Sequence, residues 1–434
     1  TYALALRRGD TAATTVADIE AQFFTQDGNP YTPRNYDFGY HGLVRYREAL
    51  ANSYNIAAVK VLEKVGVESL LRFLQETGLT TLDKPPEHYG LALTLGDAEV
   101  KLLELAQAYG MLARGGVTMP IANRLDEPAL KGKKVLDEKI AWLITDILSD
   151  NAARVAEFGE NSALTFDFPV AAKTGTTRNS RDNWTIGFTS RRVVGVWVGN
   201  ADNSPMKNTS GITGAGPIFH DVMIAAMGNL PRLPFARPDG FVKKEICSLS
   251  GMLPTPYCPA KTLEWFIRGT EPKNPDTIWT PIKTDRRNSL IAGGLCPAEW
   301  IEEKVFAVFP PELRKWSREN GWPVPPQTYS PLCPEKSEAP PREHWLIIRK
   351  PQPYENYQLD PLIPDENEKI IFEAEADESA QTVEWLVDGE KAGIGKAPNF
   401  RYEWQPQAGH FEIMAKTPGA EEKVKIEVVL TKID

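Results

Sequence analysis

The chain predicts an α+β fold, an antiparallel sheet packed with helices, followed by a Pro- and Cys-containing connector and an immunoglobulin-like β-sandwich. Three observations carry this reading. Apolar residues at helical spacing recur through Ser149, and strand-like runs follow between Phe168 and Gly199. From Leu230 to about Pro341 prolines cluster, all four cysteines appear and periodic segments become scarce. Beyond His344, five short strand-like runs separated by turn residues occupy roughly 90 residues. The expected domains are therefore 1–230, 231–341 and 342–434, in keeping with 434 residues being too many for one average domain.

In chain order, Thr1 to Gly9 reads as the remainder of a helix and Tyr31 to Tyr40 as an ordered polar loop. Leu43 to Ala51 is an expected helix, and Asn52-Ser53-Tyr54-Asn55 leads into another at Ile56–Val65, with Asn55 placed to cap it. Further helices are expected at Val67–Thr77, Val100–Arg114 and Asp137–Ser149, the last with Ile140, Leu143, Ile144, Ile147 and Leu148 as its buried stripe. The apolar run from Phe168 ends in Lys173-Thr174-Gly175-Thr176-Thr177. A polar loop from Arg178 to Asn183 and two strands, Trp184–Thr189 and Val193–Gly199, follow. The glycine-rich turn Thr209–Gly216 precedes a helix opened by Pro217. That turn lacks both the Walker spacing and a following Lys-Ser/Thr, which excludes a phosphate loop. In the tail, Lys369–Ala376, Thr382–Val387, Phe400–Trp404, His410–Ala415 and Val424–Leu430 are the expected strands.

A net charge of −9 argues against a nucleic-acid partner and against a polybasic membrane patch. No run of 18 apolar residues exists, so the sequence predicts no transmembrane helix. Cys247, Cys258, Cys296 and Cys333 lack paired CxxC spacing; free thiols, one disulfide and two disulfides all remain open. His41, His88, His220, His344 and His410 show no ligand spacing, and neither a metal nor a cofactor is expected.

Only one constellation combines reactive residue types. Serine acyl transfer needs a nucleophile, a base, oxyanion donors and a cationic edge for the substrate carboxylate. Ser53 and Asn55 stand at a helix entrance, while Lys173, Thr174, Gly175, Thr176 and Thr177 lie on a strand edge with glycine where a ligand backbone can approach. Taken singly, Ser53 reads as a helix-cap serine and Lys173 as a surface lysine. Together, Ser-x-Asn and Lys-Thr-Gly are the second and third parts of the S-x-x-K, S-x-N, K-T-G set of penicillin-recognising enzymes.

The surrounding residues extend that match. Ala49–Leu62, Leu93–Gly96 leading into Glu104–Tyr109, Val170–Thr177, Asp182–Thr189, Val194–Asn200 and Gly214–His220 resemble class A penicillin-binding proteins almost continuously to about residue 230. The tail, with Val383–Gly389, Trp404 and Gly409-His410, resembles the C-terminal domain of the 1C branch. The resemblance implies a penicillin-binding/serine β-lactamase-like transpeptidase fold. The implied activity is D,D-transpeptidation of peptidoglycan stem peptides in a bifunctional glycosyltransferase/transpeptidase. Peptidoglycan stem peptides, lipid-linked precursors and β-lactams would be its ligands, and cell-wall synthesis proteins would be partners of the C-terminal domain. The implied location is the cell envelope, on the extracytoplasmic face of the inner membrane, with an N-terminal anchor. A pairing of Cys247 with Cys258 fits such a location.

One departure matters. The family's S-x-x-K, carrying the acylated serine and its lysine base, stands about fifty residues before S-x-N, yet no Ser-x-x-Lys occurs between Thr1 and Ser53. The expectation is that the nucleophile is absent because the sequence begins just after it, along with the glycosyltransferase domain. In that reading Ser53 relays a proton, Asn55 positions the substrate amide or the local network, and Lys173 to Thr177 hold the carboxylate. The alternative is a degenerate, non-catalytic homologue acting as a cell-wall interaction protein. A serine β-lactamase is disfavoured by the connector and tail. Trp385 and Trp404 offer a carbohydrate platform in the tail, but core packing is the expected role.

Overall fold

The computed structural model describes residues 1–24, 30–122, 124, 131–177, 180–207, 209–333, 344–351, 356–359, 369–377 and 379–430. Arg178 and Asn179 of the expected polar loop, and the end of the expected connector from 334 to 341, lie outside the described residues. The chain forms two compact units, Thr1–Ile282 with Lys304–Pro325, and Lys283–Glu303 with Pro326–Asp434. Most of the expected connector therefore belongs to one or other unit.

In the first unit the helix Asn55–Val65 lies at the centre, burying Ile56, Ala57, Val59, Val61, Leu62 and Val65. The helix Glu138–Ser149 buries all five stripe residues expected of it, and Asp137 accepts from Lys139 N to cap its start. One expected helix starts late. Gly42–Arg45 pairs antiparallel with Thr15–Asp18, and helix begins only at Tyr46. The alternation of Leu43 and Val44 has found a strand partner that local spacing does not reveal.

The strands Ala171–Thr176, Asp182–Phe188 and Val193–Gly199 form an antiparallel sheet in that order, with Lys173 opposite Ile186 and Gly175 opposite Trp184. Its faces separate cleanly. Ala171 and Phe188 share the large core with the N-terminal helices, whereas Ala172 and Val194 pack with Phe219 and Met223 of the helix Gly216–Met227. The hairpin Phe241–Cys247/Lys261–Ile267 is closed by a Cys247–Cys258 disulfide. Arg47, on the helix Tyr46–Ala51, reaches Glu264 of that hairpin by two hydrogen bonds of 2.7 and 2.6 Å, and bonds Asp146 and Asp150 as well.

The second unit has a three-stranded sheet, Leu346–Lys350, Ile370–Ala376 and Tyr402–Trp404. A five-stranded sheet runs Asn356–Leu359, Glu421–Leu430, Gly409–Lys416, Thr382–Val387, Glu390–Lys396. The two sheets bury one shared core around Phe372, Trp385, Ile413 and Ile426. Trp385 is fully buried, with its Nε1 donating to Phe400 O, and Trp404 stacks on Phe372. Both tryptophans are therefore packing groups. The second disulfide, Cys296–Cys333, lies in this unit. Among the described residues the one convergence of metal-ligating side chains is Asp285 with these two cysteines, whose sulfurs are bonded to each other.

Candidate active site

The helix Tyr46–Ala51 ends in a tight turn. Ser53 N donates to Leu50 O and Tyr54 N to Ala49 O, and Ser53 takes a left-handed backbone with φ of 63°. This is the double-bonded helix ending in which glycine usually fills the left-handed place. The turn reverses the chain straight into the helix Asn55–Val65, with Tyr54 between them.

That second helix is capped from a distance. Asn55 was expected to be the cap, but it is the first helical residue; Asn35 Oδ1 accepts from Asn55 N at 2.8 Å and from Ile56 N at 3.3 Å. Asn55 Nδ2 donates to Arg34 O at 2.8 Å, which binds the turn to the loop before it. Asn35 Nδ2 donates in turn to the buried carboxylate of Asp18, which also takes His41 N and shares a 2.7 Å hydrogen bond with His41 Nδ1. His41 stacks on Tyr54 at 3.7 Å between ring centroids. Burial works against its charge, but the bonds to Asp18 and the field of Asp37 outweigh it and raise its pKa.

Opposite the turn stands the strand Ala171–Thr176. Lys173 Nζ donates to Ser53 Oγ and, at 2.9 Å, to Thr174 O. Burial lowers the Lys173 pKa to about 8; Arg154 adds to that and Glu157 opposes it. Asn52 holds the segment carrying those two charges, accepting from Glu157 N at 3.0 Å and donating to Ala153 O at 2.7 Å.

Thr176 Oγ1 accepts from Gly211 N at 2.8 Å, so its own hydrogen is directed elsewhere. Thr177 Oγ1 donates to Asp182 Oδ2, and Trp197 Nε1 to Asp182 Oδ1, each at 2.9 Å. Gly211 has a packing reason to be glycine, since a Cβ there would lie 2.6 Å from Gly175 O. Gly175 has none of that kind: a Cβ would meet Trp184 at an ordinary 3.5 Å.

Ser53, Asn55, Lys173, Thr174, Gly175, Thr176 and Thr177 all line one cleft, joined by Thr1, Tyr36 and Glu157. Every predicted site residue in the chain thus reaches a single place. Sequence reasoning missed Asp18, Asn35, His41, Asn52, Arg154 and Glu157. The polar run Tyr31–Tyr40 hinted at Asn35; Asn52, Arg154 and Glu157 carry no motif.

An amine hydrogen-bonded to a hydroxyl at its floor, hydroxyls along one wall and a strand edge beside them suit the cleft to binding a carboxylate and moving a proton. Residues 1–224 match the family described as the penicillin binding protein transpeptidase domain, and residues 237–281 match the C-terminal domain of penicillin-binding protein 1A. Penicillin-binding protein 1C of Escherichia coli (strain K12) is 32% identical over 330 residues, covering 72% of this chain and 41% of that protein. Penicillin-binding protein 1A of Clostridium novyi (strain NT) is 27% identical over 319 residues, covering 68% of this chain and 36% of that protein. The chain therefore spans less than half the length of these relatives. The crystal structure of penicillin-binding protein 1A from Haemophilus influenzae is similar with a TM-score of 0.54 at 26% identity, over 63% of this chain and 47% of that one. With its transpeptidase match covering more than half of its residues and its Ser-x-Asn and Lys-Thr-Gly segments meeting in one cleft, the chain belongs to the penicillin-binding protein transpeptidase family.

Proposed function

We propose that the chain carries the substrate-holding part of a peptidoglycan D,D-transpeptidase site. The observation that carries this is the hydrogen bond from Lys173 Nζ to Ser53 Oγ on the floor of the cleft. In the reaction a serine attacks the D-Ala-D-Ala carbonyl and forms an acyl-enzyme ester as the terminal D-Ala leaves with a proton on its amine. An amine of a neighbouring stem then takes the acyl group and frees the serine. Lys173 and the hydroxyls of Thr174 and Thr176 hold the terminal carboxylate. The backbone N–H of Thr176 is one oxyanion donor. Ser53 passes the proton to the leaving amine, and a lysine with a pKa near 8 beside it suits that exchange at neutral pH. Asn55, tied to the Asn35 loop, keeps the turn in place.

An attacking serine and its lysine base, the first part of the family's motif set, are the remaining requirements of such a site. Covalent β-lactam binding, an extracytoplasmic location and a glycosyltransferase partner domain are parts of the same proposal. The two facing sheets of the second unit support an immunoglobulin-like sandwich, through which cell-wall synthesis proteins would dock. In the full-length protein, Lys173→Ala is expected to abolish labelling by a fluorescent β-lactam; undiminished labelling would overturn the assignment.

A further inference from the structure

The loop between Asn35 and His41 presents three aromatic side chains to solvent. Tyr36 is 57% exposed, Phe38 75% and Tyr40 40%. Phe38 is the odd one. Its φ is 61°, a left-handed backbone that a bulky residue adopts only against steric resistance, and its ring gains little burial in return. Folding therefore gives no reason for a phenylalanine there.

The loop is nonetheless firmly held. Phe38 N donates to Asn35 O at 3.1 Å, Asn35 Nδ2 to Gly39 O at 2.9 Å and Gly39 N to Asp37 Oδ1 at 3.0 Å. Trp316 Nε1 donates to Tyr40 O at 3.1 Å. Through Asn35 Oδ1 the loop is also bonded to the first turn of the helix that follows Ser53. A rigid aromatic surface binds without the cost of ordering itself.

We propose that this loop is a saccharide subsite at the mouth of the cleft, with Phe38 and Tyr36 stacking on sugar rings of the glycan strand whose stem peptide enters it. The inference rests on the transpeptidase reading above and names a second portion of its substrate. Tyr36 lines the cleft, so the loop is continuous with the place where the stem peptide is held. Its chemistry fits a pyranose, which has apolar C–H faces and a rim of hydroxyls. Aromatic faces meet the former, while the Tyr36 and Tyr40 hydroxyls and the part-exposed carboxylate of Asp37 meet the latter. An anionic lipid finds little to hold it, because His41 is bonded to Asp18 and Asp37 and Arg34 alone adds an exposed cation beside the loop. A protein partner is a poorer fit, since Asp37 and Gly39 interrupt the apolar surface.

The test titrates the 434-residue chain with two soluble probes, a bare pentapeptide ending in D-Ala-D-Ala and the same pentapeptide on its disaccharide. The disaccharide form is expected to bind about tenfold more tightly, the order of one well-placed contact. Phe38→Gly should remove that advantage, leave the bare peptide's affinity unchanged and not lower the melting temperature, because glycine accepts the left-handed backbone. Tyr36→Ala, whose backbone is not left-handed, should weaken the disaccharide probe more than the bare peptide, which it also touches because Tyr36 lines the cleft. Equal affinity for the two probes, equal weakening of both by Phe38→Gly, or a lowered melting temperature in that variant would each overturn the subsite. If neither probe binds, the transpeptidase reading fails, and the subsite with it.

Discussion

Ser53 sits where a helix ending of this kind normally puts glycine, and its left-handed backbone carries a conformational cost. Its hydroxyl, held against Lys173 Nζ, is the compensating feature. Ser53→Gly is therefore expected to remove the proton relay at little net change in stability, because relief of the left-handed backbone, about 1 kcal/mol, offsets the lost hydrogen bond to Lys173. Thermal unfolding and, in the full-length protein, β-lactam acylation rates measure the two effects separately; a destabilised variant would contradict the strain argument. Lys173 has the opposite tension. Its folded-state pKa of about 8 lies below the ordinary 10.5, so between those values the unfolded chain binds more protons and stability rises with pH. Over the same window the charge that holds a carboxylate disappears. Affinity for a D-Ala-D-Ala pentapeptide should thus fall as pH rises above 8, by up to tenfold per unit, and calorimetric titration at pH 7 and 9.5 would show it. Lys173→Arg should flatten that fall, because guanidinium stays charged throughout.

Among the elements, the helix Tyr46–Ala51 does two jobs through opposite ends of its geometry. Its C-terminal turn presents Ser53, and its side chain Arg47 secures the hairpin that follows the transpeptidase match. Arg47 is buried among Glu264, Asp146 and Asp150; burial alone would lower its pKa, but the bonds to Glu264 and Asp146 raise it and keep it charged. Removing the cation leaves Glu264 buried without its main partner. Arg47→Ala should cost about 3–5 kcal/mol, and hydrogen exchange should show the loss in Phe241–Cys247 and Lys261–Ile267. Unchanged protection there would show that the hairpin is held by apolar contacts instead. The aromatic group of Trp142 with Phe241 and Trp265 is the competing candidate.

Over the whole molecule, each compact unit has a core and a disulfide of its own. Loop-closure entropy scales with the span enclosed, 11 residues for Cys247–Cys258 and 37 for Cys296–Cys333. Reduction should therefore destabilise the second unit by about 4 kcal/mol and the first by about 3. Hydrogen exchange with and without reductant resolves the two, and equal insensitivity would mean that neither crosslink limits opening. Much of this arrangement is legible in the residues. The stripe of Glu138–Ser149, the strand edge Lys173–Thr177 and the runs of the second unit follow from periodicity and turn chemistry, which are local properties. Ser53 and Lys173 are recognisable as partners because their motif spacing is itself a record of one geometry. Nothing local announces that Asn35 caps a helix twenty residues away, that Leu43 and Val44 belong to a strand, or that Lys173 is buried beside the opposing fields of Arg154 and Glu157. Those depend on which segments meet, and a hydrogen bond or a field acts through space without regard to chain order. Phe38 makes the same point in reverse: its identity is plain in the sequence, but only the backbone it adopts and the solvent around it make it a candidate for binding.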